Sequence, residues 1–248
     1  MALHPLFANV TDPVHDLLSD LMDNINRVEF NQWKLTRSPD DYIKIEAVAD
    51  THDMTVEANL GSKYPELATP FAMINLDVLN GWLQLPAMKL QYNYHPNGIL
   101  AEIVFTSAQQ NITYKTTPVE MISLQTVFKN KWTTTTPLTT VAITGFLQQA
   151  KVLVKTEDYF WVNLTPNGDL TFNIGKNNKH QNTASYLIAQ NVSGSLDMSH
   201  EFNLKKTMKL LKLAATKNPV IAFSDIGGFS IQFDTDYANY RYILPAYN

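Results

Sequence analysis

One order of structural signals runs through residues 12–117 and returns over residues 138–248: helix, hairpin, strand, helix, hairpin, strand. In the first copy, Phe71-Ala72-Met73-Ile74-Asn75-Leu76 leads into the helical Asp77-Val78-Leu79-Asn80-Gly81-Trp82-Leu83. In the second, Ser199-His200-Glu201-Phe202-Asn203-Leu204 leads into a lysine-rich helix from Lys205 to Leu213. Each is followed by a strand pair built around a glycine turn. A duplicated α+β unit, mostly antiparallel, points to an architectural protein, with a ring among its natural products.

The local chemistry supports this order. Asp12-Pro13 is a helix start, a carboxylate to cap and a proline where no N–H is needed. Val14, Leu17, Leu18, Leu21 and Ile25 follow at helical spacing, with Asp16, Ser19, Asp20 and Asp23 on the opposite, solvated face. Tyr42–Val48 and Met54–Leu60 alternate and flank Thr51-His52-Asp53, a hairpin. Lys89–Tyr94 and Leu100–Phe105 flank Pro96-Asn97-Gly98, and Asn111–Thr116 closes the first copy. Residues 117–137 have many apolar groups without a period and end in Thr133-Thr134-Thr135-Thr136-Pro137, which reads as an extended linker. In the second copy we expect a short strand over Thr139–Ile143, a helix over Gly145–Lys155 and a hairpin at Pro166-Asn167-Gly168. Strands at Ser185–Gln190 and Gly194–Met198 precede the lysine helix. A hairpin at Ile226-Gly227-Gly228 and a last strand, Tyr240–Leu244, complete the copy.

A length of 248 residues allows one large domain or two ordinary ones, and 45% hydrophobic with 17% charged residues is the composition of a folded protein. The net charge of −4 argues against a simple basic nucleic-acid module. Its distribution is uneven: residues 1–137 carry 9 basic and 15 acidic side chains, and residues 138–248 carry 10 and 8. Without cysteine there are no disulfides or thiolate metal sites. No apolar run is long enough to span a bilayer and no signal sequence is evident, so the expected setting is cytoplasmic.

The sequence contains no recognisable catalytic constellation. The six histidines are scattered, with no pair at metal-ligand spacing, and no nucleophile elbow or phosphate-binding glycine loop occurs. His52-Asp53 reads as hairpin turn rather than catalytic couple. The lysine helix is the strongest local signal. Lys205, Lys209 and Lys212 recur at i, i+4 and i+7, Lys206 stands beside them, and no acid interrupts from Phe202 to Asn218. Neighbouring like charges repel, so a uniformly basic face in an acidic protein suggests a polyanion held through its phosphates. Lys151 and Lys155, one turn apart on the other helix of the same copy, point the same way.

The second copy resembles the DNA sliding clamps, the polymerase processivity factors. The residues that carry the likeness are Phe202–Lys212, the Gly227-Gly228 hairpin and Tyr240-Arg241-Tyr242-Ile243-Leu244-Pro245-Ala246. The resemblance implies a clamp-like domain at 1–117, a connector at 118–137 and a second domain at 138–248. Three copies would close a six-domain ring, with edge strands paired across subunits and helices lining the hole. It implies that Lys151, Lys155, Lys205, Lys206, Lys209 and Lys212 face double-stranded DNA without reading its sequence. DNA polymerase and a clamp loader would be partners. A partner peptide would dock between Val119, Met121, Ile122 and Leu124 of the connector and Ile243, Leu244 and Pro245 near the C-terminus. No catalysis, cofactor, metal or membrane is implied, and the style of the chain suggests a viral clamp acting in the host cytoplasm. One departure stands out: the first helix presents Asp16, Asp20 and Asp23, and Asp77–Leu85 has no lysine, so only half the domains would give the hole a basic lining. Two other readings are a monomeric processivity subunit that binds DNA without encircling it, and a non-catalytic viral structural or assembly protein.

Overall fold

The computed structural model of the chain describes residues 12–37, 42–61, 64–67, 70–86, 88–123, 131–175, 182–196 and 200–247. Asp12 opens α1 (Pro13–Asn24): its Oδ1 accepts the Val14 N–H at 3.0 Å, and Val14, Leu17, Leu18, Leu21 and Met22 are buried. The chain then runs through β1 (Gln32–Arg37), β2 (Ile43–Val48), β3 (Thr55–Leu60) and β4 (Phe71–Ile74) to α2 (Leu76–Leu83). A meander of β5 (Lys89–Tyr94), β6 (Leu100–Thr106) and β7 (Asn111–Lys115) ends the first copy.

The second copy repeats this order. It comprises β8 (Trp132–Pro137), α3 (Thr140–Leu153), β9 (Tyr159–Leu164), β10 (Leu170–Ile174), β11 (Ala184–Ala189), β12 (Glu201–Asn203), α4 (Leu204–Ala214), β13 (Val220–Ser224), β14 (Gly228–Asp234) and β15 (Ala238–Pro245). Sheet order proves the duplication. Strands β4-β1-β2-β3 of the first copy match β12-β9-β10-β11 of the second, and β5-β6-β7 match β13-β14-β15. Among the described residues, every strand pairing is antiparallel. The fold is a duplicated α+β unit with two helices per copy.

The copies join through one strand pair. β15 lies antiparallel to β3, with Tyr240 opposite Ala58, Arg241 opposite Glu57 and Tyr242 opposite Val56. This makes one eight-stranded sheet, β4-β1-β2-β3-β15-β14-β13-β8. Alternation along these strands sends Ile45, Val56, Ala58, Ile231, Tyr240 and Tyr242 inward, all buried. The second core is aromatic: Phe160, Phe172, Phe202, Phe223 and Phe229 touch, with the Phe223 and Phe229 rings stacked 4.8 Å apart. Burying each such side chain contributes roughly 1.5–3 kcal/mol.

Three expectations are corrected. The threonine run is strand β8, not a linker; its partner β13 is some 85 residues away in sequence (Val220 opposite Pro137), so no local signal announces the pairing. Thr139–Ile143 is not a strand. The Thr139 hydroxyl caps α3 by accepting the Ala142 N–H at 3.2 Å, and burial of Ile143, Phe146, Ala150 and Leu153 on one helical stripe overrides the β-branched residues. Gly194–Leu196 is irregular, with Gly194 at φ 133° against β8 and the Ser195 carbonyl accepting from the Thr133 and Thr134 hydroxyls at 2.9 and 3.0 Å. The strand entering α4 is the shorter β12, and Asp197–Ser199 lie outside the described residues.

Candidate nucleic-acid interface

Helices α3 and α4 pack side by side, and an open groove of about 490 Å³ runs between them. Lys151, Lys205, Lys209 and Lys212 line it over an apolar floor that includes Leu147, Val154 and Met208. The α4 lysines converge because residues i, i+4 and i+7 fall within about 60° of one another on a helix. Lys151, Lys205 and Lys212 are exposed and have no carboxylate partner among the described residues. Lys155 is also exposed, one residue past the C-cap of α3.

Lys206 and Lys209 are placed differently. Lys206 stands about 100° around the helix from Lys205. Its ammonium is ion-paired with Asp53 of the first copy and donates to Thr51 Oγ1 at 2.8 Å, leaving the side chain only 12% exposed. Asp53 also accepts from the Tyr247 hydroxyl at 3.0 Å. The expectation that Lys206 faces DNA is therefore corrected: it bolts the two copies together. Lys209 lines the groove, but its ammonium pairs with Glu29 of the first copy. His52 is the hairpin-turn residue the sequence suggested, with φ 56° and its N–H bonded to the Ala49 carbonyl.

The acidic face of α1 also turns out differently. Asp20 is a half-buried hub between the copies. Its carboxylate accepts from the Tyr240 hydroxyl at 2.7 Å, the Thr235 hydroxyl at 3.0 Å and Asn24 Nδ2 at 3.0 Å. Lys217 donates to Asn24 Oδ1 at 2.6 Å and sits 4.4 Å above the Phe233 ring. Asp23 is exposed and pairs with Arg27 at 2.7 Å. A second groove, of about 760 Å³ between α1 and α4, collects Arg27, Lys209, Lys212 and Lys217 beside Asp20 and Asp23. Sequence reading missed Arg27 and Lys217. Neither belongs to a periodic basic stripe, and only packing of α4 against the turn after α1 brings them together.

Burial pushes the Asp20 carboxyl up, against the pull of the Tyr240 and Thr235 bonds and of Lys217. For Asp53, burial works upward too, but the bonds from Lys206 and Thr51 prevail and hold it below the usual range. Folding thus favours protonated Asp20 and ionised Asp53. The stability gap between the native chain and Asp20→Ala should widen as pH falls from neutral towards the ordinary carboxylate value. The gap for Asp53→Ala should hold steady over that range and close only as pH drops through and below the ordinary carboxylate value. At neutral pH, Asp20→Ala should cost about 1–3 kcal/mol by stranding the Tyr240 hydroxyl. Thermal melts of both variants across pH check all three; parallel gaps would contradict the assignment.

No protein-family model matches the sequence, and no curated protein sequence matches it. Solved structures do. Proliferating cellular nuclear antigen from Entamoeba histolytica superposes with a TM-score of 0.62 over 95% of each chain, at 13% identity. The same antigen from Thermococcus kodakaraensis superposes with a TM-score of 0.61 over 94% of this chain and 96% of that one, at 14% identity. The fold is that of a two-domain sliding clamp. At such identities the likeness is one of fold, so the residues of the interface stand on their own chemistry.

The apolar docking residues meet a partial correction. Ile122, at the end of the short turn Val119–Met121, is buried, and so are Ile243 and Leu244 of β15, which point to opposite faces of a sheet covered on both sides there. Met121 is 74% exposed, Val119 and Pro245 are half-buried, and Leu124 lies outside the described residues.

Proposed function

We propose that the chain is a DNA sliding clamp, three copies of which close a six-domain ring around duplex DNA and tether the replicative polymerase. The observation that carries this reading is the boundary inside the chain. There the last strand of the second copy, β15, pairs with the third strand of the first copy's four-stranded unit, β3. The same relation between chains would pair β7, the last strand of the first copy, with β11, the third strand of the second. Among the described residues, β7 and β11 are each paired on one side only. Repeating one boundary six times, alternately within and between chains, yields closed symmetry without a free edge at any joint.

Lys151, Lys155, Lys205 and Lys212, with Lys209 partly engaged by Glu29, would then meet phosphates; Arg27 and Lys217 add positive charge where the copies meet. Contacts to phosphate alone carry no sequence information, which suits a protein that slides. A polymerase or clamp-loader peptide would use Met121 with Val119 and Pro245. Met121→Asp should weaken polymerase binding by about tenfold or more while leaving the melting temperature unchanged, as expected for an exposed anchor. Unchanged binding in a polymerase pull-down would remove Met121 from the site.

The decisive functional test is topological. Protein bound to circular DNA should survive a high-salt wash and be lost once the circle is cut. Equal retention on circular and linear DNA would favour a subunit that binds without encircling.

A further inference from the structure

The two kinds of joint in such a ring need not share one chemistry, and the duplicated fold allows them to be compared residue by residue. The buried stripe of α2, Leu76, Leu79 and Leu83, matches that of α4, Leu204, Thr207 and Leu211, behind Asn75 and Asn203 at the two N-caps. In this register Val78 stands where Lys206 does, and Gly81 stands where Lys209 does. Those two lysines form the ion pairs with Asp53 and Glu29 across the joint inside the chain. The corresponding positions for the joint between chains carry no charge, and Val78 is 44% exposed.

The strands give the same contrast. Inside the chain, Arg241 stands opposite Glu57, and the flanking pairs Tyr240–Ala58 and Tyr242–Val56 are buried. The β10–β11 pairing places Ala184, Ser185 and Tyr186 opposite Ile174, Asn173 and Phe172, as Val56, Glu57 and Ala58 stand opposite Ala47, Glu46 and Ile45. The β6–β7 hairpin closes with Thr106 opposite Asn111, as Asp234 stands opposite Asn239 in β14–β15. Transferring the register pairs Ile112 of one chain with Tyr186 of the next, Thr113 with Ser185 and Tyr114 with Ala184. Where the strand pair inside the chain sets Arg241 opposite Glu57, this one sets two hydroxyl side chains. Ile112, Tyr186 and Ala184 are only half-buried in the single chain, whereas their counterparts Tyr240, Ala58 and Val56 are fully covered.

Resting on the ring reading above, we infer that the joint between chains is an apolar strand-edge contact without ion pairs, with Ile112 of β7 and Val78 on one side and Tyr186 of β11 on the other, whereas the joint inside each chain is held by ion pairs. The transferred register sets Lys115 of β7 opposite Thr183, and Glu157, which stands where Glu29 does, opposite the Gly81 position, so neither is set against an opposite charge. Screening acts on charges and leaves apolar burial intact, so ring closure is insensitive to salt while the grip on DNA is not.

The chain has no cysteine, which makes a direct test simple. In the Thr113→Cys/Ser185→Cys double variant, oxidation should give a reducible covalent trimer. Each single variant should give none. Sedimentation velocity of the native chain should show the trimer dissociation constant changing by less than about threefold between about 0.05 M and about 1 M NaCl. Val78→Lys should make assembly weaker and salt-dependent, with its melting temperature as the check on folding. A trimer that falls apart in high salt, or one that forms without the cross-link, overturns this inference and leaves the clamp standing. A monomer at every salt concentration overturns both.

Discussion

Replacing Lys205 and Lys212 together by glutamate is expected to reduce DNA association by about 100-fold or more at moderate salt, and to flatten its salt dependence. Each chain would lose two phosphate contacts and gain two repulsive charges, and a three-chain ring multiplies the change threefold. Both side chains are exposed on α4 without a partner among the described residues, so the fold should not notice: the melting temperature should stay within a degree or two. Lys206→Glu is the informative contrast. It lies next to Lys205 in sequence, yet it sets a glutamate against Asp53 in a joint where both side chains are mostly covered. That change should cost about 2 kcal/mol or more of stability. Fluorescence anisotropy with a short duplex, paired with thermal melts, separates the two. If Lys206→Glu weakened DNA binding without lowering the melting temperature, the division of α4 into a DNA face and a joint face would be wrong.

Phe229→Ala should bring the largest loss of stability, about 3–5 kcal/mol. Its ring is fully buried, stacks on Phe223 and touches Phe160, Phe172 and Phe202. It therefore ties β14 to β13, β9, β10 and β12, and truncation opens a cavity that surrounding rings in their own close contacts cannot fill. Since domains are stable by only about 5–15 kcal/mol, the variant should show a sharply lowered urea midpoint or be isolated largely unfolded. Phe229→Leu, which keeps most of the volume, should cost only about 1–1.5 kcal/mol and remain folded. Equal losses for the two would mean that the site is not packed as described.

What the sequence disclosed and what it withheld divide along a physical line. Hairpins announced themselves because their signals are local: alternation on both arms and Pro-Asn-Gly at the turn put β5–β6 and β9–β10 where the structure has them. The lysine stripe of α4 was legible for the same reason, since helical spacing needs no partner. Features that depend on the other copy were not. Asp20 reads as a solvated helix residue until Tyr240 and Thr235, more than two hundred residues away, bring their hydroxyls to it. Lys206 reads as one more surface lysine until Asp53 of a hairpin turn meets it. The threonine run before Pro137 has linker composition, and only the edge of β13 makes it a strand. Ile243 and Leu244 looked like spare apolar surface because alternation within a strand does not reveal that both sheet faces are covered there. Two of the three acids of the first helix thereby find partners: Asp20 serves the joint and Asp23 is matched by Arg27, while Asp16 lies beside His15.

Solution mass by light scattering over a concentration series tests the six-domain ring most directly. The account predicts three times the 28.0 kDa of a single chain, stable on dilution through the micromolar range. A single-chain mass at every concentration, unchanged by added duplex DNA, would contradict it.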